Sequence, residues 1–219
     1  WDIQFAADEI LVTSGASEAI IFILSIVAGG EGEVLVFEPC YTNYLSFAAQ
    51  ADVTMVPITL KVEDGYHFGS IDRLRACVTP KTKAILLCNP SNPTGTVYTA
   101  EELEAVARVA IENDLFVICD EVYREFVFDG GKIRSFTEFS DLAQRIIVVD
   151  SVSKRFNACG VRIGCMATHN REILDIALRF CQARLSVPTA EQLMVVPMLE
   201  HGRAYSENLC GEYEKRRDV

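Results

Sequence analysis

Three apolar runs of this sequence end in polar segments whose side chains have complementary chemistry. Lys83–Cys88 (KAILLC) leads into Asn89-Pro90-Ser91-Asn92-Pro93-Thr94-Gly95. Leu115–Cys119 (LFVIC) leads into Asp120-Glu121-Val122-Tyr123, and Arg145–Asp150 (RIIVVD) into Ser151-Val152-Ser153-Lys154. A lysine that follows an apolar strand, at the floor of a cleft, is desolvated and becomes nucleophilic; the plainer reading is a surface lysine. Eight positions after Lys154, Arg162 stands in Gly160-Val161-Arg162-Ile163-Gly164. Flanking glycines let a guanidinium fork come close to a phosphate, although a strand-edge arginine has the same look. A fourth segment, Thr13-Ser14-Gly15-Ala16-Ser17-Glu18, precedes a long apolar run. Small residues at a helix start leave backbone N–H groups open to an anion, and the helix dipole adds to the attraction. Alternatively Ser14 is an ordinary N-cap.

These segments act together only if the fold brings them to one place. Strand-like runs are read at Glu33–Phe37, Val53–Ile58, Lys83–Cys88, Leu115–Cys119, Arg145–Asp150 and Val161–Ala167. Between and after them lie helical patterns. Ala19–Ala28 reads as a helix buried on nearly every side, followed by Tyr41–Ala51, Ser70–Val78 and Thr99–Asn113, the last opened by a Thr99/Glu102 capping box. Arg171–Ala183, Thr189–Glu200 and a stretch from about Arg203 complete the series. Continuous apolar strands alternating with helices predict a mainly parallel sheet covered on both faces. In such sheets ligands bind beyond the carboxyl ends of the strands, where the three polar segments lie.

Composition narrows the function classes. The 219 residues carry 31 Asp plus Glu against 20 Lys plus Arg, a net charge of −11, with half the residues hydrophobic. Mean hydropathy is +0.19. Such a chain has a sizeable interior and is not disordered, and its acidity argues against nucleic acid or an anionic membrane as partner. The longest apolar run is too short to span a bilayer, and no signal peptide is read at the start. Eight scattered cysteines without a CxxC pair read as buried free thiols of an intracellular protein, and the three histidines have no ligand spacing. No GxGxxG follows a strand, since Gly29-Gly30-Glu31-Gly32 ends a helix, and this disfavours a dinucleotide-binding oxidoreductase.

Asp120-x-x-Tyr123, Ser151-x-Ser153-Lys154 and Gly160-x-Arg162-x-Gly164, preceded by Asn92-Pro93-Thr94-Gly95, form an ordered set. It resembles the fold-type-I pyridoxal-phosphate enzymes, and among them the class I/II, aspartate aminotransferase-like group, from Ser14 to Arg216-Arg217. The resemblance implies a large-domain fold over residues 1–219, a three-layer α/β/α sandwich on a mainly parallel, mixed sheet. Residues from about 203 to 219 would begin the helix leading to a small domain. The implied cofactor is pyridoxal 5'-phosphate. Lys154 would hold its aldehyde as a Schiff base, Asp120 would pair with the pyridine nitrogen, and Tyr123 and Asn92 would hydrogen-bond the phenolic oxygen. Tyr41, after Pro39-Cys40, would stack on the ring, with core packing as its alternative. Ala16, Ser17, Ser151 and Arg162 would hold the phosphate, while Asn89, Ser153 and Glu121 are read as turn or supporting residues.

The reaction so implied is ping-pong transamination between an amino acid, aspartate first, and a 2-keto acid, in a cytoplasmic homodimer. Trp1 in place of a methionine and the charged ending YEKRRDV suggest a cut at both ends. The segment that closes the site and the arginine that grips the substrate carboxylate would then lie elsewhere, and this piece would bind cofactor weakly and turn over little. Rival readings are a C–S β-lyase, a synthase resembling the aminocyclopropane-carboxylate type, and a non-catalytic effector domain of a transcription regulator.

Overall fold

The computed structural model describes residues 5–219. Trp1 and the three positions after it lie outside the described residues. Seven strands form one sheet: β1 Ile10–Thr13, β2 Glu33–Glu38, β3 Thr54–Thr59, β4 Thr82–Cys88, β5 Phe116–Asp120, β6 Ile146–Ser151 and β7 Gly164–Ala167. Their order across the sheet is β1-β7-β6-β5-β4-β2-β3. β2 to β6 are mutually parallel, and β7 lies antiparallel between β6 and β1. The expected three-layer α/β/α arrangement on a mainly parallel, mixed sheet is therefore observed. The helices are α1 Gly15–Val27, α2 Asn43–Ala51, α3 Ile71–Cys77, α4 Ala100–Glu112, α5 Val152–Arg155, α6 Arg171–Ala183, α7 Thr189–His201 and α8 Arg203–Arg217.

Strand side chains alternate between faces, and the core divides accordingly. Leu35, Ile85 and Val117 pack against α3 and α4 on one face, together with Leu74, Leu103 and Val106. Val34, Leu86 and Ile118 face α1, α2 and α6 on the other, where Ile20, Ile23 and Phe47 meet them. Every residue of α1 is buried or half-buried, as its apolar run predicts. The Thr99/Glu102 capping box forms, and the Glu102 carboxylate also accepts from the Phe68 amide and pairs with His67. No helix among the described residues is long and apolar enough to cross a membrane.

Three expectations change. β1 was not foreseen, although its Ile-Leu-Val-Thr run is β-prone. The strand expected over Val161–Ala167 begins only at Gly164; Cys159–Val161 forms a 3₁₀ turn, and Arg162 takes a left-handed conformation with φ 56°. That turn lets the Arg162 guanidinium donate to the Ser14 carbonyl at 3.2 Å, which a straight strand would prevent. Finally, all eight cysteines are free, but only Cys88 and Cys119 are buried; Cys159 is exposed and the other five are half-buried.

Both sheet edges are altered locally. β3 contains Pro57, which has no N–H to offer a neighbour. On β1, the Arg184 guanidinium donates to the Val12 carbonyl at 2.9 Å while its Nε pairs with Glu18 of α1.

The insertion of β7 leaves no space at its first residue. A Cβ on Gly164 would stand 2.6 Å from the Gly15 carbonyl carbon, 2.7 Å from the Ala16 nitrogen and 2.9 Å from the Asp150 oxygen. Gly164→Ala is therefore expected to lower the unfolding free energy by about 1–3 kcal/mol. Urea denaturation checks this, and an unchanged midpoint would refute the packing argument.

Candidate active site

Register brings the polar strand ends to one level. Cys88 of β4 is paired with Asp120 of β5, and Asp120 with Val149 of β6. Because β7 runs the other way, its starting residue Gly164 is paired with Ser151 at the end of β6 and with Thr13 at the end of β1. The start of α1 is thus set beside Ser151 and the Arg162 turn. Ala16, Ser17, Tyr41, Asn92, Asp120, Tyr123, Ser151, Lys154 and Arg162, the nine residues singled out in the sequence, all line one cleft with about 630 Å³ of empty space.

One end of the cleft is a cradle of donors. Ser14 makes no side-chain cap to α1, so the ordinary N-cap is not what forms here. Thr13 instead donates its hydroxyl to the Gly15 carbonyl, and the Ser14 amide is taken by Glu18. The first-turn N–H groups of a helix have no intrahelical partner, and Ala16 and Ser17, in the first turn of α1, line the cleft wall. Gly15 has φ +73°, and any Cβ there would collide with the Arg162 guanidinium. The Ser151 hydroxyl caps α5, accepting from the Ser153 amide at 3.1 Å, and donates to the Ile163 carbonyl at 3.0 Å. Arg162 itself is exposed. Backbone dipoles at a helix start and a guanidinium suit a phosphate; the Ser151 hydroxyl joins them only by turning its one proton from the Ile163 carbonyl.

The floor is acidic. Asp120 is 4% exposed; its Oδ2 accepts from the Tyr44 hydroxyl at 2.6 Å and its Oδ1 from the Val122 amide at 3.3 Å. Burial raises its pKa from 3.8 to about 6, against the lowering effect of the Tyr44 and Val122 hydrogen bonds. Burial, followed by the Asp120 charge, pushes the Tyr44 phenol well above its ordinary value, so Tyr44 remains a donor. Tyr44 was not identified in the sequence. A buried tyrosine needs a partner for its hydroxyl, but its helical position reads as core, and the partner lies 76 residues away.

The remaining side chains stand between cradle and floor. Asn92 Nδ2 donates to the Tyr123 hydroxyl at 3.3 Å. Lys154 is half-buried, with Nζ 5.6 Å from the centre of the Tyr123 ring. Burial raises the Tyr123 pKa, and the nearby Lys154 ammonium opposes that rise. Tyr41 is half-buried, meets Tyr44 edge-on at 5.5 Å between ring centres, and accepts from Asn43 Nδ2 at 2.7 Å. Asn89 and Glu121 lie behind the cleft. Asn89 accepts from the Tyr98 amide and Glu121 from the Ser135 hydroxyl, while Ser153 lines the cleft beside Ser151. Among the described residues, no group of three or more His, Cys, Asp or Glu is placed to hold a metal ion.

The raised Asp120 pKa has a definite sign for stability. The folded carboxyl holds its proton more tightly than the unfolded one, so its cost is absent below about pH 4, grows between about pH 4 and 6, and is constant above that. Without ligand, Asp120→Asn is expected to exceed the native protein in stability by about 3 kcal/mol at most near pH 7. The difference should shrink toward zero near pH 4. Denaturation curves of both proteins at several pH values test this, and a gap independent of pH would contradict it.

The chain is similar to known proteins in sequence and in fold. The chain is 35% identical over 222 residues to the putative aminotransferase YugH of Bacillus subtilis, covering all of this chain and 56% of that protein. It is 43% identical over 158 residues to the probable N-succinyldiaminopimelate aminotransferase DapC of Mycobacterium tuberculosis, covering 71% of this chain and 39% of that one. A solved aspartate aminotransferase of Thermus thermophilus, a tetra mutant, superposes with TM-score 0.89 at 30% identity, over 98% of this chain and 59% of that one. The chain spans about half the length of the curated relatives it matches along its whole length. The model of the family described as aminotransferase class I and II matches residues 2–218, and the chain belongs to that family.

Proposed function

We propose that residues 1–219 form the pyridoxal-phosphate-binding large domain of an aminotransferase, with α8 leading toward a smaller domain. Its reaction would exchange an amino group between an amino acid, aspartate first, and a 2-keto acid. The observation that carries this reading is Asp120, a buried carboxylate on the floor of a cleft whose far end is a cradle of phosphate donors. A protonated pyridine nitrogen would supply the positive partner that such a carboxylate favours, and the uncapped start of α1 with Arg162 would suit the phosphate.

The cofactor, when bound, supplies an electron sink for negative charge developing at the substrate Cα. The chain's own groups would do the rest. Asp120 would keep a proton on the ring nitrogen, while Tyr44 and Val122 hold the carboxylate in place. Asn92 and Tyr123, already in contact, offer donors to the phenolic oxygen. Ala16, Ser17, Ser151 and Arg162 would hold the phosphate, and Tyr41 would lie against the ring. Lys154 would be the amine that holds the aldehyde and the base that takes the proton from the substrate Cα. Aspartate, aromatic and N-succinyldiaminopimelate aminotransferases among the relatives support the reaction class.

A cytoplasmic homodimer belongs to the same proposal. Eight free cysteines suit a reducing compartment. The exposed Leu193, Met194, Val196 and Leu199 of α7 offer an apolar surface for a second copy.

Incubation with pyridoxal phosphate followed by borohydride should fix the cofactor to the native protein, and Lys154→Ala should abolish the fixation. A variant that still fixes cofactor in this cleft would overturn the assignment. Aspartate with 2-oxoglutarate should yield glutamate in the whole protein; release of a thiol and pyruvate from a sulfur amino acid would assign elimination in its place.

A further inference from the structure

Behind the cleft lies a group of charges that no step above uses, with Arg155 and Glu121 buried and Asp150 and Glu125 half-buried. Asp150 sits one residue before Ser151, and alternation along β6 sends its side chain to the other face of the sheet. Arg155, next to Lys154 in the chain, is 4% exposed. Its Nη2 donates to Asp150 Oδ2 at 2.6 Å, and its Nε faces Glu125 Oε1 at 3.0 Å. Asp150 Oδ1 accepts from the Ser151 amide at 2.7 Å. Beside this group, Arg124 pairs with the buried Glu121 at 3.3 Å.

One guanidinium therefore joins three segments that carry the cleft's chemistry. Asp150 belongs to the end of β6, which supplies Ser151. Glu125 lies two residues past Tyr123, on the segment that follows Asp120. Arg155 ends α5, the turn that carries Lys154. α5 has only four residues, too few to hold a helical shape by their own hydrogen bonds. Val152 and Phe156 pack in a small apolar cluster, which fixes the depth of the turn. Ser151 caps one end of the turn, and Arg155 is tied to Asp150 at the other.

The arrangement is costly for a purely structural element. Burial raises the pKa values of Asp150 and Glu125, and the Arg155 charge only partly offsets this. Well-packed apolar side chains often hold a fold as well as a buried ion pair does. What an ion pair adds is direction, because a guanidinium spanning two carboxylates has few permitted orientations.

We infer that Arg155 is a positioning residue: by spanning Asp150 and Glu125 it sets the rotation of α5 and so aims the Lys154 amine into the cleft. The inference rests on the assignment of Lys154 above. Pyridoxine 5'-phosphate separates the two, because it has the ring and phosphate but an alcohol where the cofactor has its aldehyde, so Lys154 cannot capture it. Arg155→Lys keeps the charge but cannot span both carboxylates. It is expected to bind pyridoxine phosphate within about twofold of native, while its affinity for pyridoxal phosphate drops by about tenfold or more. The fraction of bound cofactor fixed by borohydride should fall with it. Glu125→Gln, which keeps the side-chain volume, should shift both readouts in the same direction, and it carries the comparison if Arg155→Lys does not fold.

A native ratio of the two affinities in the variants, whether both are unchanged or both weakened alike, would overturn the positioning role and leave Lys154 in place. Failure of borohydride to fix cofactor to Lys154 in the native protein would overturn the assignment of Lys154 itself, and this inference with it.

Discussion

Gly164 passes beneath the start of α1 at a distance no other residue would permit, and the cleft is arranged around that passage. β7 enters between β1 and β6 without strain because its first residue has no side chain. Once it does, the end of β6, the start of α1 and the turn before β7 are forced into contact. Ala16 and Ser17 at the start of α1, and Ser151 with Arg162 far along the chain, come from two distant parts of the sequence, and this one backbone approach makes them neighbours. Gly15 completes the fit, since its missing side chain is the space that the Arg162 guanidinium occupies.

The electrostatics follow from where charge is buried rather than from how much there is. The chain as a whole is acidic, with a net charge of −11. The cradle is nevertheless electropositive, because helix-start amides and one arginine face it and the nearby Glu18 is committed to Arg184. At the floor, Asp120 and Asp150 leave the sheet toward opposite faces. One is turned to the cleft and Tyr44, the other to Arg155. Period-two alternation thus separates a carboxylate assigned to the cofactor from one that holds the backbone.

Much of this was legible before any coordinates, for physical reasons. Parallel strands buried on both faces must be continuous apolar runs, so β2, β4, β5 and β6 were visible, and their polar ends marked the cleft. The Thr99/Glu102 box was readable because both of its partners are local. What was missed depends on distant partners. Tyr44 looks like any helical core aromatic until Asp120 is placed above it. β1 is four residues long and gains its meaning from pairing with β7. The turn at Arg162 opposes a local pattern that favours a strand; its reason is the Ser14 carbonyl, 148 positions earlier. The cysteines were misjudged because an apolar neighbourhood in sequence does not ensure burial when a strand ends or a helix face turns outward.

The two edges of the sheet bear on how the protein behaves at high concentration. A strand with open N–H and C=O groups is a template on which another chain can build. β3 offers a proline in mid-strand, and β1 has its Val12 carbonyl taken by Arg184, which is anchored in turn on Glu18. The same arginine that neutralises a carboxylate near the cradle thus guards a sheet border against fibrous growth. A lysine there would keep the charge but could not span both partners, and the resulting weakness would show as clumping during expression, with the chemistry of the cleft untouched.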